Sequence, residues 1–341
     1  GMQTGRAGVR SQRVHMTELR LEEQHVLKEA PRPAEKHAPR VSIGLPVYNG
    51  EAFLEQALAS VLNQTFAEFE VVISDNASTD STPDICRRLA EADERICYHR
   101  NDHNIGLIKN FNQVVRLSRG EYFQWMADDD ILDPDYIASC VRELDRDPEV
   151  FLVYSRSRVI DELGEECDRH QIFLKSQSGQ PHERFEEAVH KIWVERGLLT
   201  LQYGLMRRSK LLQTGLFPNY PASDRVFMAE LALKGRLFEI PETLFSRRVH
   251  PQRFTQQHRR VEDLAAALDP ALGRKVLLPH WRYLTEYVRG ILRTDLPMAE
   301  KARCAAVLMS QYVPRVYRPL AGELKKFVVI SSKNLLKKRG R

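Results

Sequence analysis

Glu121–Pro134 reads EYFQWMADDDILDP, and its two halves conflict. Tyr122, Phe123, Trp125, Met126 and Ala127 form the apolar, aromatic run of a buried strand. The run stops at Asp128, Asp129 and Asp130, three adjacent carboxylates. Like charges this close repel, and burial makes each one costlier. A cation, or a ligand that brings one, resolves the conflict. Hard carboxylate oxygens suit Mg²⁺ or Mn²⁺, and Mg²⁺ is commonly held by one or two carboxylates together with substrate phosphates. The triplet therefore predicts a divalent ion completed by a diphosphate. The other use of such a triplet is a solvated turn with a capping carboxylate, since Pro134 opens a helix just downstream.

Working outward, the same strand-then-helix unit recurs. VSIGLPV is a β-branched run ended by the turn signal Asn49-Gly50, and LEQALASVL follows at helical spacing. FEVVIS is a strand that ends at Asp75. The next helix has Ser81 as its expected N-cap and Asp84 in a capping-box position. RICYH, IKNFNQVVRLS, YFQWMA, PDYIASCVRELDRD and VFLVYS continue the alternation. Strands alternating with helices predict an α/β fold with a mostly parallel sheet and helices on both faces. Ligands of such sheets collect at the carboxyl ends of the strands, where both Asp75 and the triplet fall. From about residue 157 the alternation weakens. SRSRVIDELGEECDRHQIF reads as a hairpin or long loop, SDRVFMAELALKG as a helix capped by Ser223, and RLFEI and TLFSRRVH as two strands. The expected organisation is an N-terminal extension (1–40), a first half of the α/β domain that holds Asp75 and the triplet (41–155), a second half (156–258) and a helical, basic C-terminal region (259–341).

The 341 residues are 43% hydrophobic, as in a globular protein, and no apolar run is long enough to span a bilayer. The first 40 residues are too polar for a secretory signal. Five dispersed cysteines without CxxC spacing fit a reduced, cytoplasmic setting with neither a disulfide framework nor a zinc site. Net charge is +5, but residues 301–341 carry +10 and residues 1–40 carry +3, leaving 41–300 at −8. An acidic body with a basic tail excludes nucleic acid as the natural partner. In GELKKFVVISSKNLLKKRGR, Leu324, Phe327, Val328 and Leu335 form a stripe flanked by lysines. It is either a peripheral contact with anionic lipid on the inner membrane face or a terminal helix packed on the body. There is no GxxxxGK[ST], no GxGxxG after the first strand and no GxSxG, which argues against P-loop NTPases, dinucleotide dehydrogenases and α/β hydrolases.

Taken together, VSIGLPVYNGEAFLEQALASVLNQTF, FEVVISDNASTDST and NIGLIKNFNQVVRLSRGEYFQWMADDDILDPDYI resemble the inverting glycosyltransferases of family 2, which have the GT-A fold. The resemblance is close over residues 41–155 and loose over 200–255. It implies a nucleotide-sugar donor, with a UDP-sugar as the expected form. It implies a glycan or lipid-linked acceptor in surface-polysaccharide assembly. Pro46, Tyr48 and Asn49 match the loop that stacks on the donor's base, and Asp75 matches the acid that reads it. Asp128 matches a ribose contact and Asp129 the metal ligand; Asp130 and His250 complete the implied metal set. Ala127 stands where many members have an acid. Arg248 is an implied phosphate contact, and 41–155 and 156–258 become the donor-binding and acceptor-binding halves; Lys109 could reach a phosphate, with a solvated helix lysine as the plain alternative. Asp224, at the start of a helix, matches the catalytic base, which takes a proton from the acceptor hydroxyl. A first-turn acid that merely favours the helix dipole is the plain alternative for Asp224. Two rival classes stay open: a nucleotidyltransferase acting on sugar phosphates, and a nucleotide-binding GT-A protein without catalysis.

Overall fold

β1 (Val41–Val47) and β2 (Phe69–Asp75) are buried at every position. They pair in parallel, and β4 (Tyr122–Trp125) flanks β1 while β3 (Ile96–Arg100) flanks β2, both also parallel. Strands covered on both faces need no polar alternation, which is why β1, β2 and β4 read as largely apolar runs, whereas the edge strand β3 is mostly half-buried. The computed structural model describes residues 38–170, 177–192, 198–253, 268 and 278–339. The helix and linker expected in residues 1–37 lie outside the described residues, as do the side chains beyond Val328 and so the C-terminal end of the basic stripe.

The helices α1 (Leu54–Leu62), α2 (Thr82–Ala92), α3 (Leu107–Leu117) and α4 (Tyr136–Arg146) separate these strands. They seal two apolar layers. One holds Ile43, Leu45, Leu58 and Ile137; the other holds Val114, Phe123, Trp125 and Phe227. Trp125 is fully buried, its indole N–H donates to the Phe111 carbonyl at 2.9 Å, and the rings of Phe123, Phe217 and Phe227 surround it. Expected caps are absent. Ser81 makes no side-chain cap; the Asp80 carboxylate accepts the Thr82 N–H instead, and Asp84 pairs with Arg87. Ser223 likewise is not a cap, because the left-handed Ala222 precedes the helix.

The second half of the sheet is mixed. β8 (Leu205–Arg207) runs antiparallel between β4 and β6 (Val150–Ile160). β6 forms the expected hairpin with β7 (Glu166–His170) and pairs in parallel with β9 (Arg236–Arg248). The short β5 (Ile131–Leu132) closes the far edge against β9. The two strands expected over 236–250 are one strand. Ile240 pairs with Ser155 and Thr243 with Arg156, so Pro241 and Glu242 bulge out of the ladder. Proline has no N–H to give, and a bulge is where a sheet tolerates it.

Beyond the sheet, α5 (Pro181–Lys191), α6 (Arg208–Leu211) and α7 (Ser223–Lys234) precede a helical region. That region comprises α8 (Pro279–Arg293), α9 (Met298–Val307) and α10 (Val313–Arg339). Glu323 of α10 accepts the N–H groups of His280 and Trp281 at 3.1 and 3.3 Å, tying α10 to the first turn of α8. Among the described residues no helix is long and apolar enough to cross a membrane.

Candidate active site

Two loops at the carboxyl edge of the sheet are laced together. The Asn49 N–H donates to Ser78 Oγ at 2.9 Å, and Asn49 Oδ1 accepts the Thr79 N–H at 2.9 Å. The Gly50 N–H donates to Thr82 Oγ1 at 2.9 Å, and Glu51 accepts the Ser81 N–H at 2.8 Å. The Asn49-Gly50 pair divides two tasks. Asn49 takes the left-handed backbone (φ 53°), while a side chain on Gly50 would collide with the Asp128 carboxylate. Tyr48 is 47% exposed at the mouth of this cradle, and Pro46 is buried in β1 opposite Ser74.

Asp75, the last residue of β2, is fully buried. Its Oδ1 accepts the Ser78 N–H at 2.8 Å; its Oδ2 accepts the Tyr98 hydroxyl at 2.8 Å and lies 3.2 Å from Arg100 Nε. These contacts fill three of the roughly four acceptor positions that a carboxylate offers.

The triplet follows β4. Burial first, and then the charge of Asp129, push the carboxyls of Asp128 and Asp130 well above the usual range. Asp129 Oδ2 lies 3.0 Å from His250 Nε2 and 3.2 Å from Arg253 Nε. Asp130 Oδ1 accepts the Arg248 N–H at 3.0 Å, and its Oδ2 is buried with no partner among the described residues. An orphaned carboxylate oxygen next to a second carboxylate suits a divalent cation. The three implied metal ligands are not preassembled, however: among the described residues no three His, Cys, Asp or Glu side chains converge as a metal-ligand group. Asp129 and His250 meet, while Asp130 turns one oxygen to the β9 backbone.

Arg248 is placed differently from the expectation that it touches phosphate. It is 1% exposed. Its guanidinium donates to the carbonyls of Asp129 (3.0 Å), Asp161 (2.9 Å) and Glu162 (3.1 Å) and to Gln56. It braces the acids from behind, stacked 4.6 Å from the Phe53 ring, which also packs on His250. The cation facing the carboxylates is Arg253, whose Nη1 is buried without a hydrogen-bond partner among the described residues. In RRVHPQRF the sequence offers three arginines, and Arg253 lies in the turn after the end of β9, where no strand or helix period says which way a side chain points, so it went unnoticed. Tyr203 was missed too. Burial and the nearby charge of Asp130 push its hydroxyl upward. Lys109 is exposed on α3 and forms no ion pair among the described residues.

Asp224 opens α7, partly exposed. Burial raises its carboxyl above the ordinary aspartate value, opposed by the Arg225 N–H that Oδ1 accepts at 2.9 Å. Two residues earlier, Ala222 is left-handed (φ 57°), and Tyr283 of α8 donates its hydroxyl to the Pro221 carbonyl at 3.0 Å. Among the described residues four non-glycine positions are left-handed, and three are Asn49, Ala77 and Ala222. These lie at, or within two residues of, Tyr48, Asp75 and Asp224. Backbone strain held in this way tends to cluster at functional sites.

The fold is the GT-A fold. S. aureus TarS (residues 1–349, in complex with UDP-GlcNAc) superposes with a TM-score of 0.58 at 18% identity, over 85% of this chain and 80% of that one. The description "Glycosyl transferase family 2" matches residues 42–211, and the chain belongs to that family. An uncharacterized glycosyltransferase of Haemophilus influenzae is 26% identical over 221 residues, covering 63% of this chain and 67% of that protein. Chondroitin synthase of Escherichia coli is 36% identical over 129 residues, covering 38% of this chain. The chain spans 19% of that synthase's length.

Proposed function

We propose that this chain is an inverting glycosyltransferase. It takes a sugar from a nucleoside-diphosphate donor, with uridine as the base, and passes it to a glycan or lipid-linked acceptor in surface-polysaccharide assembly. The observation that carries this reading is the convergence of His250 and Arg253 on Asp129, beside the laced loops of Tyr48 and Asp75. The relatives support the substrate class: TarS was crystallised with UDP-GlcNAc, and chondroitin synthase assembles a polysaccharide.

In this reading Tyr48 stacks on the base and Asp75 accepts a hydrogen bond from it. Asp129 and His250 would hold Mg²⁺ or Mn²⁺ on the diphosphate; when bound, the ion neutralises charge on the leaving group. Arg253 supplies a second positive charge and a free N–H to the same oxygens. Asp224 takes the proton of the acceptor hydroxyl as that oxygen attacks the anomeric carbon. The bond to the diphosphate breaks on the opposite face, so the configuration inverts. A carboxyl raised by burial is a better base for this step than an exposed one. The buried carboxylates favour this reading over a nucleotidyltransferase, whose basic loop after the first strand is missing from PVYNGEAF.

The C-terminal helix fits a peripheral contact with an anionic membrane. Val316 and Leu320 of α10 are buried, while Leu324, Phe327 and Val328 are exposed beside Lys325 and Lys326. A thermal-shift panel of nucleoside diphosphates, with and without Mn²⁺, tests the donor assignment. Stabilisation follows mass action, so UDP with Mn²⁺ should give the largest shift. Equal shifts for all bases, or none, would refute it.

A further inference from the structure

At the opposite edge of the sheet, where β6 and β9 begin, lies a cavity of about 470 Å³. Its lining includes Arg184, Lys210, Lys234 and Arg236 against two acids, Glu149 and Asp295. Arg236 is satisfied by an ion pair with Asp147. The other three cations have no such partner: among the described residues none of Arg184, Lys210 and Lys234 is in an ion pair. Arg184 is 5% exposed and donates to two backbone carbonyls, those of Ala232 (2.9 Å) and Ser178 (2.7 Å). Lys234 Nζ reaches the Gln213 carbonyl at 3.2 Å. Arg184 is buried and Lys210 and Lys234 are half-buried, and burial lowers the pKa of all three.

Gathering one buried and two partly desolvated cations around a cavity is costly unless an anion enters it. The donor site does not account for them: parallel β6 and β9 run from this cavity towards the acids, with Arg236 at one end of β9 and Arg248 at the other. Twelve residue steps at roughly 3.3 Å each put the two ends about 40 Å apart along the strand. We infer that the cavity is a second ligand site that takes a small molecule bearing a phosphomonoester, with the phosphoryl oxygens between Arg184, Lys210 and Lys234. A volume of this size is typical of small-molecule pockets and leaves space for the group that carries the phosphate. With Arg236 neutralised by Asp147, the remaining cations of the lining still outnumber its acids, so an anion complements it.

The test is calorimetric titration of the full-length Asp129→Ala chain with glucose 1-phosphate, without divalent ions. Wild type presaturated with UDP serves the same purpose if that variant does not fold. Binding should persist in both and should weaken at least tenfold in Lys210→Met/Lys234→Met. It should be retained in Lys210→Arg/Lys234→Arg, which keeps the charge. Inorganic phosphate should displace the probe and glucose should not. Binding that disappears once the acid-lined site is disabled or filled, that ignores the lysine pair, or that glucose displaces, would overturn the assignment.

Discussion

The two ends of β9 present opposite chemistry on one scaffold. At its carboxyl end, three aspartates are crowded together and answered by His250 and Arg253. At its amino end, Arg184, Lys210 and Lys234 surround a cavity with two acids between them. Both ends hold charge that burial penalises. The difference lies in the scaffold around each. The acidic end is built from tightly laced loops, left-handed residues and a buried arginine brace, whereas the basic end is an open space lined by helix termini. Preorganised dipoles and charges are what catalysis requires, and a cavity that closes on a ligand is enough for binding.

Breaking the acidic end should cost most. Asp224→Asn should lower kcat by about 10²–10⁴-fold while leaving UDP affinity unchanged, measured by single-turnover transfer and by calorimetry. The same variant should be no less stable than wild type. The folded carboxyl is raised above its unfolded value, so its contribution to stability is favourable at low pH and is lost as pH rises through the folded pKa. Asparagine removes that cost at neutral pH. In wild type, kcat/KM should fall as pH drops through this raised pKa, above the usual aspartate range. Asp129→Ala should reduce kcat/KM by about 10²–10³-fold and abolish Mn²⁺-dependent UDP binding. Arg253→Ala should cost about ten- to a hundredfold, the worth of a charge-assisted hydrogen bond. Arg248→Ala should instead lower Tm, because Arg248 braces buried carbonyls and does not face the cleft. If Arg248→Ala left Tm intact and weakened UDP as Arg253→Ala does, the two arginines would have to exchange roles. The smallest effect is expected of Gly50→Ala, about fivefold in donor affinity, since the Asp128 carboxylate must move aside.

In the parallel half β1, β2 and β4 were legible because each is covered on both faces, and the helices because each carries an apolar period, while the edge strand β3 is mostly half-buried and reads weakly. The carboxylate triplet was legible because burial and charge conflict within six residues. Other features left no such mark. β8 has three residues and β5 two, too short for any period, and both are held by pairing with strands distant in sequence. The arginine that faces the acids, Arg253, lies in the turn after β9, beyond any strand period, so the sequence does not single it out from Arg247 and Arg248. The caps failed for a local reason: Asp80 and Ala222 reach the helix ends before Ser81 and Ser223 can.

The central claim is that Asp129 and His250 hold a divalent ion on a nucleoside diphosphate. Crystals grown with Mn²⁺ and UDP, measured at a wavelength where manganese scatters anomalously, test it directly. A peak about 2.1 Å from an Asp129 oxygen, with UDP between Tyr48 and Asp75, is the expected result. A map in which Arg253 and His250 keep Asp129 to themselves, and the nucleotide binds at another edge of the sheet, would contradict it.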